Sequence, residues 1–193
     1  YAGLAALHIK KKYGIPYVIT EHSSALANNT ISKQQTEIVK QVFQNANAKT
    51  AVSPKFCDIL TNRYSESTSP ITPIFNSLDQ MFEAKIFQLP AMRSAPPFIF
   101  LNVGRLHEEK NHSLLLLAFA CGFKGNVNAQ LRIGGDGLLR KRLIRQAQKL
   151  GIDKQVHFLG MLNREAVLQE MRECNAFVLS SNVETFGVVL IEA

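Results

Sequence analysis

Two glutamates eight positions apart, Glu184 and Glu192, flank a short polar turn and the start of an apolar run, Glu184-Thr185-Phe186-Gly187-Val188-Val189-Leu190-Ile191-Glu192. Ahead of them, residues 176–179 form a short apolar segment that reads as a buried parallel strand, and the run from Gly187 onward reads as a helix. On that reading Glu184 sits on the loop, while Glu192 lies about 7.5 Å along the helix axis. Carboxylates on different elements suit two contacts on one ligand better than a proton-sharing pair. A strand that feeds a loop and a helix N-terminus is where open α/β sheets bind ligands, because the first helical turn offers unpaired N–H groups to anions. For an arbitrary pair, a surface glutamate and a helix glutamate would be the plainer explanation.

Three other groups of residues stand at comparable places. Gly104-Arg105-Leu106-His107-Glu108-Glu109-Lys110 follows an apolar strand and precedes a helix. A strand-end arginine with a lysine five residues on puts two cations beside one diphosphate, the guanidinium binding bidentately and the ammonium as a point charge. Gly134-Gly135-Asp136-Gly137 also follows a strand and opens a helix, but Arg140 occupies the third glycine position of a dinucleotide fingerprint. A dehydrogenase is therefore poorly supported, and a tight strand-to-helix turn would account for these glycines as well. His22 lies in Thr20-Glu21-His22, at the carboxyl end of a short strand, although a lone histidine is more often structural.

Taken together, these motifs resemble the retaining, nucleotide-sugar-dependent glycosyltransferases of family four, which have the GT-B fold. The resemblance rests on Glu184-Thr-Phe-Gly…Glu192-Ala193, on Gly104-Arg105-Leu106…Lys110, on Gly135-x-Gly137 and on Thr20-x-His22, and it is densest from about residue 103 to 193. It implies that Glu192 holds the donor ribose and that Glu184 and His22 contact the transferred sugar. Backbone amides of Thr185, Phe186, Gly187 and Val188 then meet sugar and phosphate. Arg105 and Lys110 bind the diphosphate and steady the leaving phosphate, and Gly135 and Gly137 let the nucleotide approach the backbone. Glu184, His22, Arg105 and Lys110 are thus the expected catalytic set, with no metal and no cofactor beyond the nucleotide-sugar co-substrate. Asn76-Ser77-Leu78-Asp79 and Ser53 resemble further landmarks of the family and read here as structural turns, with Phe75 where the family usually has proline. Another GT-B protein, such as a nucleotide-sugar epimerase or a phosphorylase, or a catalytically silent binding subunit, is the alternative; retention of Glu184, Glu192, Arg105 and Lys110 argues against a silent copy.

The elements that must position these residues alternate along the chain. Helices are expected at 2–13, with Leu4, Ala5, Leu7 and Ile9 as its apolar stripe, at 36–46, at 54–64 behind a Ser53 cap and Pro54, at 111–121, around Leu139, Leu143, Ala147 and Leu150, and at 164–174 behind Asn163. Strands are expected at 17–20, 49–52, 98–103, 130–133, 156–159 and 176–179, and residues 23–33 read as a polar loop. Alternating strands and helices imply parallel sheets with right-handed crossovers, hence an α/β chain with two Rossmann-like domains and a cleft between them. Residues 1–85 are assigned to an N-terminal, acceptor-side domain. The proline-bearing stretch 86–97, with Pro90, Pro96 and Pro97, is the linker, and 98–193 form the nucleotide-sugar-binding domain.

Composition narrows the partners. The 193 residues carry a net charge of +7 spread over both halves, with no basic run longer than Lys10-Lys11-Lys12, which argues against a nucleic-acid arm and suits an anionic substrate. Lys141, Arg145 and Lys149 share one helix face, most simply a solvated one and at most a peripheral contact with an anionic membrane surface. Three dispersed cysteines make neither a disulfide framework nor a zinc site and point to reducing cytosol. No apolar run reaches the roughly 18 residues of a membrane span. A start at Tyr1 and an end inside a helix suggest a fragment of a longer protein whose two domains are both incomplete. The expected donor is a nucleotide-sugar and the expected acceptor a hydroxyl compound.

Overall fold

The computed structural model describes residues 2–64, 69–83 and 96–193. Contacts divide them into two compact units, one of residues up to Ser77 together with Val183–Gly187, the other of Leu78–Asn182 together with Val188–Ala193. The boundary falls at Ser77, ahead of the expected linker, of which residues 86–95 lie outside the described residues. Residues 78–83 join the second unit, where Asp79 pairs with Arg164 and Phe82 is buried.

In the first unit α1 (Ala2–Tyr13), β1 (Val18–Glu21), α2 (Ser24–Asn28), α3 (Lys33–Asn45), β2 (Ala48–Ala51), α4 (Pro54–Tyr64) and β3 (Ile71–Pro73) follow one another. The three strands make a parallel sheet in the order β1-β2-β3, with Thr20 beside Thr50 and Lys49 beside Ile71. Phe43, Ala51, Val52, Phe56, Leu60 and Tyr64 form its core. Residues 23–33 are not a loop throughout. The Ser23 hydroxyl accepts from the Ala25 amide and opens α2, which Asn29 closes in a left-handed conformation. Helix α3 begins three residues earlier than expected, because Ser32 and Gln35 form a reciprocal capping box that fixes its first turn. On α1 only Leu7 is buried; Leu4 and Ile9 face solvent, so the expected stripe is narrower than its residues suggest.

The second unit comprises α5 (Gln80–Glu83), β4 (Phe98–Val103), a single 3-10 turn (Glu108–Lys110), α6 (His112–Phe123), β5 (Ala129–Gly134), α7 (Arg140–Leu150), β6 (Val156–Gly160), α8 (Arg164–Glu173), β7 (Ala176–Phe177) and α9 (Val188–Glu192). Its four strands are parallel in the order β6-β5-β4-β7, a Rossmann arrangement in which chain order reverses between β4 and β7. Ile99, Leu101, Leu131 and Ile133 are buried, as near-continuous apolar strands covered on both faces require. Strand β7 is shorter than expected and only half-buried. The parallel ladder stops at Phe177, and the Val178 amide adds one last bond to the Leu101 carbonyl before the chain turns away.

Candidate functional site

In an open α/β sheet the ligand crevice lies beyond the carboxyl ends of the strands where strand order reverses. Here that point is bounded by the loop after β4, carrying Arg105 and Lys110, and by the loop after β7, Ser180 to Asn182. The two loops are tied together. The Ser180 hydroxyl donates to the Lys110 carbonyl at 2.8 Å, the Asn182 amide donates to the Glu109 carbonyl at 3.0 Å, and the Asn111 side-chain amide donates to Asn182 Oδ1 at 2.8 Å. Asn111 also caps α6 from a left-handed backbone with φ 48°. Between the two cations, Leu106 is fully buried in the core of the unit and anchors the loop. Arg105 is exposed, and the Lys110 side chain runs alongside Gly104, its Cγ 3.8 Å from where a Cβ would stand. The structure therefore brings the two expected phosphate ligands to one strand end.

The glycine turn after β5 is built against the same loop. Gly135 has φ +127°, and a Cβ there would stand 2.0 Å from the Gly104 carbonyl oxygen; one on Gly137 would stand 2.5 Å from that of Leu106. The Gly104 amide donates to the Gly134 carbonyl, and the Leu106 amide donates to that of Asp136. What approaches these glycines so closely is the protein's own Arg105-bearing loop. Beside them, Leu138 after β5 and Met161 after β6 are 90% and 78% exposed, two large apolar side chains at the carboxyl ends of adjacent strands.

Glu192 is the last residue of α9 and half-buried. Burial pushes its carboxyl up from the usual range; the Arg164 guanidinium pulls it down, and the Asp79 carboxylate raises it further. Arg164, the first residue of α8, is itself ion-paired with Asp79. Neither residue is apparent as a partner of Glu192 from sequence.

The segment Val183–Gly187 packs with the first unit. Val183 and Phe186 lie against its core, and the Phe186 and Phe75 rings are 6.0 Å apart. The Ser53 hydroxyl caps α4 by accepting from the Phe56 amide at 3.2 Å and donates to the Thr185 carbonyl at 2.6 Å. The Thr185 hydroxyl in turn donates to the His22 carbonyl at 3.3 Å. Ser53 is thus more than the turn residue its sequence context suggests. His22 itself is exposed, on a turn held by Glu21 Oε1, which accepts from the amides of His22 and Ser23. Gly187 is buried with φ +80°, a conformation that favours glycine just ahead of α9. His22, Glu184, Thr185, Phe186 and Gly187 therefore belong to one unit, and Arg105, Lys110, Gly135, Gly137, Val188 and Glu192 to the other. Among the described residues no helix is long and apolar enough to cross a membrane.

The chain is similar to known proteins in sequence and in fold. Over residues 89–193, more than half of the chain, the sequence matches the family model described as Glycosyl transferases group 1. It is 27% identical over 195 residues to the glycogen synthase of Mycobacterium tuberculosis, covering 97% of this chain and 46% of that protein. To an N-acetylgalactosaminyltransferase of Campylobacter jejuni that acts on a diphospho-undecaprenol-linked sugar it is 30% identical, over 74% of this chain and 33% of that one. Among solved structures, Anabaena Alr3699/HepE in complex with UDP and glucose matches all of the chain with a TM-score of 0.80 at 22% identity, over 54% of its own length. The apo lipopolysaccharide outer core galactosyltransferase WaaB matches with a TM-score of 0.70 at 26% identity, over 51% of its length. The chain spans about half the length of such relatives, and its fold is the α/β GT-B fold with parallel sheets. The chain belongs to the group 1 glycosyl transferases.

Proposed function

We propose that the protein transfers a sugar from a nucleotide-sugar donor to a hydroxyl acceptor with retention of anomeric configuration, as a family-four enzyme with Glu184-x7-Glu192 as its signature. The observation that carries this reading is the arrangement at the strand-order reversal, where Arg105 follows β4 and the Lys110 side chain lies against Gly104, on a loop pinned by Ser180 and Asn182. As the bond from the anomeric carbon to the diphosphate oxygen breaks and the bond to the acceptor oxygen forms, negative charge grows on the departing diphosphate. Two cations at fixed positions stabilise that charge, and no metal is required in this scheme. Gly135 and Gly137 serve the donor through the loop they hold, Leu138 and Met161 offer apolar contact to the base, and Glu192 accepts from the ribose hydroxyls. Glu184, His22 and the amides of Thr185 to Val188 serve the transferred sugar and its phosphate.

A cytosolic site of action suits the three free thiols. Helix α7 carries Arg140, Lys141, Arg142, Arg145 and Lys149 and no acidic residue, a composition that fits peripheral contact with the anionic face of a membrane. Co-sedimentation with anionic and neutral vesicles tests that contact.

The donor assignment is tested by calorimetry on the intact protein with UDP and a panel of nucleotide-sugars. A carboxylate accepts from both ribose hydroxyls, and an amide has one acceptor oxygen. Glu192→Gln is therefore expected to cost about 1.5–3 kcal/mol with free nucleotide and nucleotide-sugar alike. Glu184→Gln should leave free-nucleotide binding nearly intact and depress turnover. The reverse pattern would overturn both roles.

A further inference from the structure

The carboxyl ends of β1 and β2 stand side by side, with Glu21 in register with Ala51. His22 and Ser53 follow directly beyond that pair, and one segment reaches both. The Ser53 hydroxyl gives its single proton to the Thr185 carbonyl at 2.6 Å and accepts from the Phe56 amide at 3.2 Å. Thr185 passes the contact on, its own hydroxyl donating to the His22 carbonyl at 3.3 Å. The His22 amide donates to Glu21 Oε1 at 3.0 Å, so the backbone that carries the imidazole is held at both its N–H and its C=O. Glu184 is held on both sides as well, by Val183, which packs against the first unit's core, and by Thr185, whose carbonyl Ser53 fixes. Ser53 is anchored in turn, because Val52 before it is buried and α4 begins behind it at Pro54. Two hydroxyl-to-carbonyl bonds thus join Ser53, Thr185 and His22 across 132 and 163 positions of sequence.

We propose that Ser53 is a positioning residue for sugar transfer. Through the Thr185 carbonyl it fixes the Glu184 loop, and through the Thr185 hydroxyl it fixes His22 relative to that loop. The inference rests on the reading that Glu184 and His22 serve the transferred sugar. Neither the Ser53 side chain nor that of Thr185 contacts the donor in this scheme; they set the spacing of two groups that do. A displacement of about 1 Å costs a reacting group up to about a hundredfold in rate. The nucleotide's ligands Arg105, Lys110 and Glu192 belong to the other unit, so the loss falls on turnover and spares the nucleotide. The two bonds also act in order. Loss of the Ser53 proton releases the Glu184 loop and, behind it, the His22 turn; loss of the Thr185 hydroxyl releases the His22 turn alone.

Three substitutions separate this bond from the helix cap that Ser53 also makes. Ser53→Asp keeps an oxygen to cap α4 but has no proton to donate, and Ser53→Thr keeps both functions. Thr185→Val keeps the shape of the side chain without its hydroxyl. With the intact protein, turnover is measured on a panel of UDP-, ADP- and GDP-sugars, and the one that the wild type turns over fastest is used throughout. Ser53→Asp and Thr185→Val are each expected to lower kcat about tenfold, with Kd for the released nucleoside diphosphate within about twofold of wild type. Ser53→Thr should keep kcat near the wild-type value. Hydrogen exchange reads the same bonds without turnover: residues 21–25 should exchange faster in both deficient variants, and residues 183–187 faster in Ser53→Asp only. Unchanged kcat in Thr185→Val, nucleotide affinity that falls as far as kcat, or unchanged exchange at 21–25 overturns the inference. If Ser53→Asp does not fold, Thr185→Val carries the kinetic and exchange tests by itself. A wild type that turns over no nucleotide-sugar overturns the transferase reading, and full turnover in Glu184→Gln overturns the role of Glu184, so those failures are told apart from this one.

Discussion

The Ser180 hydroxyl donates to the Lys110 carbonyl at 2.8 Å, joining residues seventy positions apart across the reversal of strand order. Because this bond holds the backbone of Lys110 and not its ammonium, it fixes where the cation starts and leaves its charge untouched. Ser180→Ala is expected to cost about 0.5–1.5 kcal/mol of stability, the net worth of a neutral hydrogen bond. It should also weaken UDP binding less than Lys110→Ala does. Urea denaturation and calorimetry on the variants measure both, and a Ser180→Ala loss equal to that of Lys110→Ala would mean that the loop collapses without the bond.

Gly135 and Gly125 separate the two reasons for needing glycine. Both have positive φ, +127° and +80°, but a Cβ on Gly135 meets the Gly104 carbonyl oxygen at 2.0 Å and one on Gly125 meets nothing within 4 Å. Gly125→Ala should cost about 1–2 kcal/mol, the strain of a left-handed alanine. Gly135→Ala adds a backbone collision and should cost about 3 kcal/mol or more, with loss of UDP binding as the Arg105 loop is pushed aside. Thermal melts of the two variants check the ranking.

What could be read in the sequence follows the range of the forces involved. Strand β4 and the caps at Ser53 and Asn163 are local features, and the structure has them where periodicity and capping chemistry put them. Helix α2 has five residues, too few to show a period, and β3 lies in a Ser/Thr/Pro-rich stretch that resembles a loop. The Ser32/Gln35 capping box was legible as Ser-x-x-Gln, and reading it would have placed the start of α3. At the site, Arg105, Lys110 and Gly135 stand out in the sequence only through the motifs that carry the family resemblance, and their mutual packing does not show there at all. The Arg164–Asp79 pair and the Ser53–Thr185 bond join residues 85 and 132 positions apart, and no local pattern encodes them.

The three cysteines should differ sharply in reactivity. Cys121 is exposed, Cys174 half-buried and Cys57 buried in the first unit's core. Burial pushes the thiols of Cys57 and Cys174 up, and Asp58 adds to the effect at Cys57. Since the thiolate is the reacting species, a thiol reagent at neutral pH should modify Cys121 first. Labelling of Cys57 should follow the unfolding of the protein as denaturant is added. Mass spectrometry of the modified peptides gives the order, and early labelling of Cys57 would show that the core of the first unit opens in the native state.

His112 gives the second unit a defined acid sensitivity. It is the first residue of α6, fully buried, and among the described residues neither ring nitrogen has a hydrogen-bond partner. Burial, with a smaller contribution from the Lys110 ammonium, lowers its pKa from 6.5 to about 4. The unfolded chain takes up the proton near 6.5, whereas the folded chain refuses it until about pH 4. Between those values the unfolded state binds more protons, so stability rises with pH; it is fully present above 6.5 and is lost as pH falls toward 4. The loss between neutral pH and pH 4 should be about 3 kcal/mol. His112→Phe keeps a ring in the same place and removes the proton site, so its stability should vary less over this range by that amount, whatever its stability at neutral pH. Urea denaturation of both proteins at several pH values measures the two slopes. Equal slopes would mean that His112 is protonated in the folded protein as readily as in the unfolded chain.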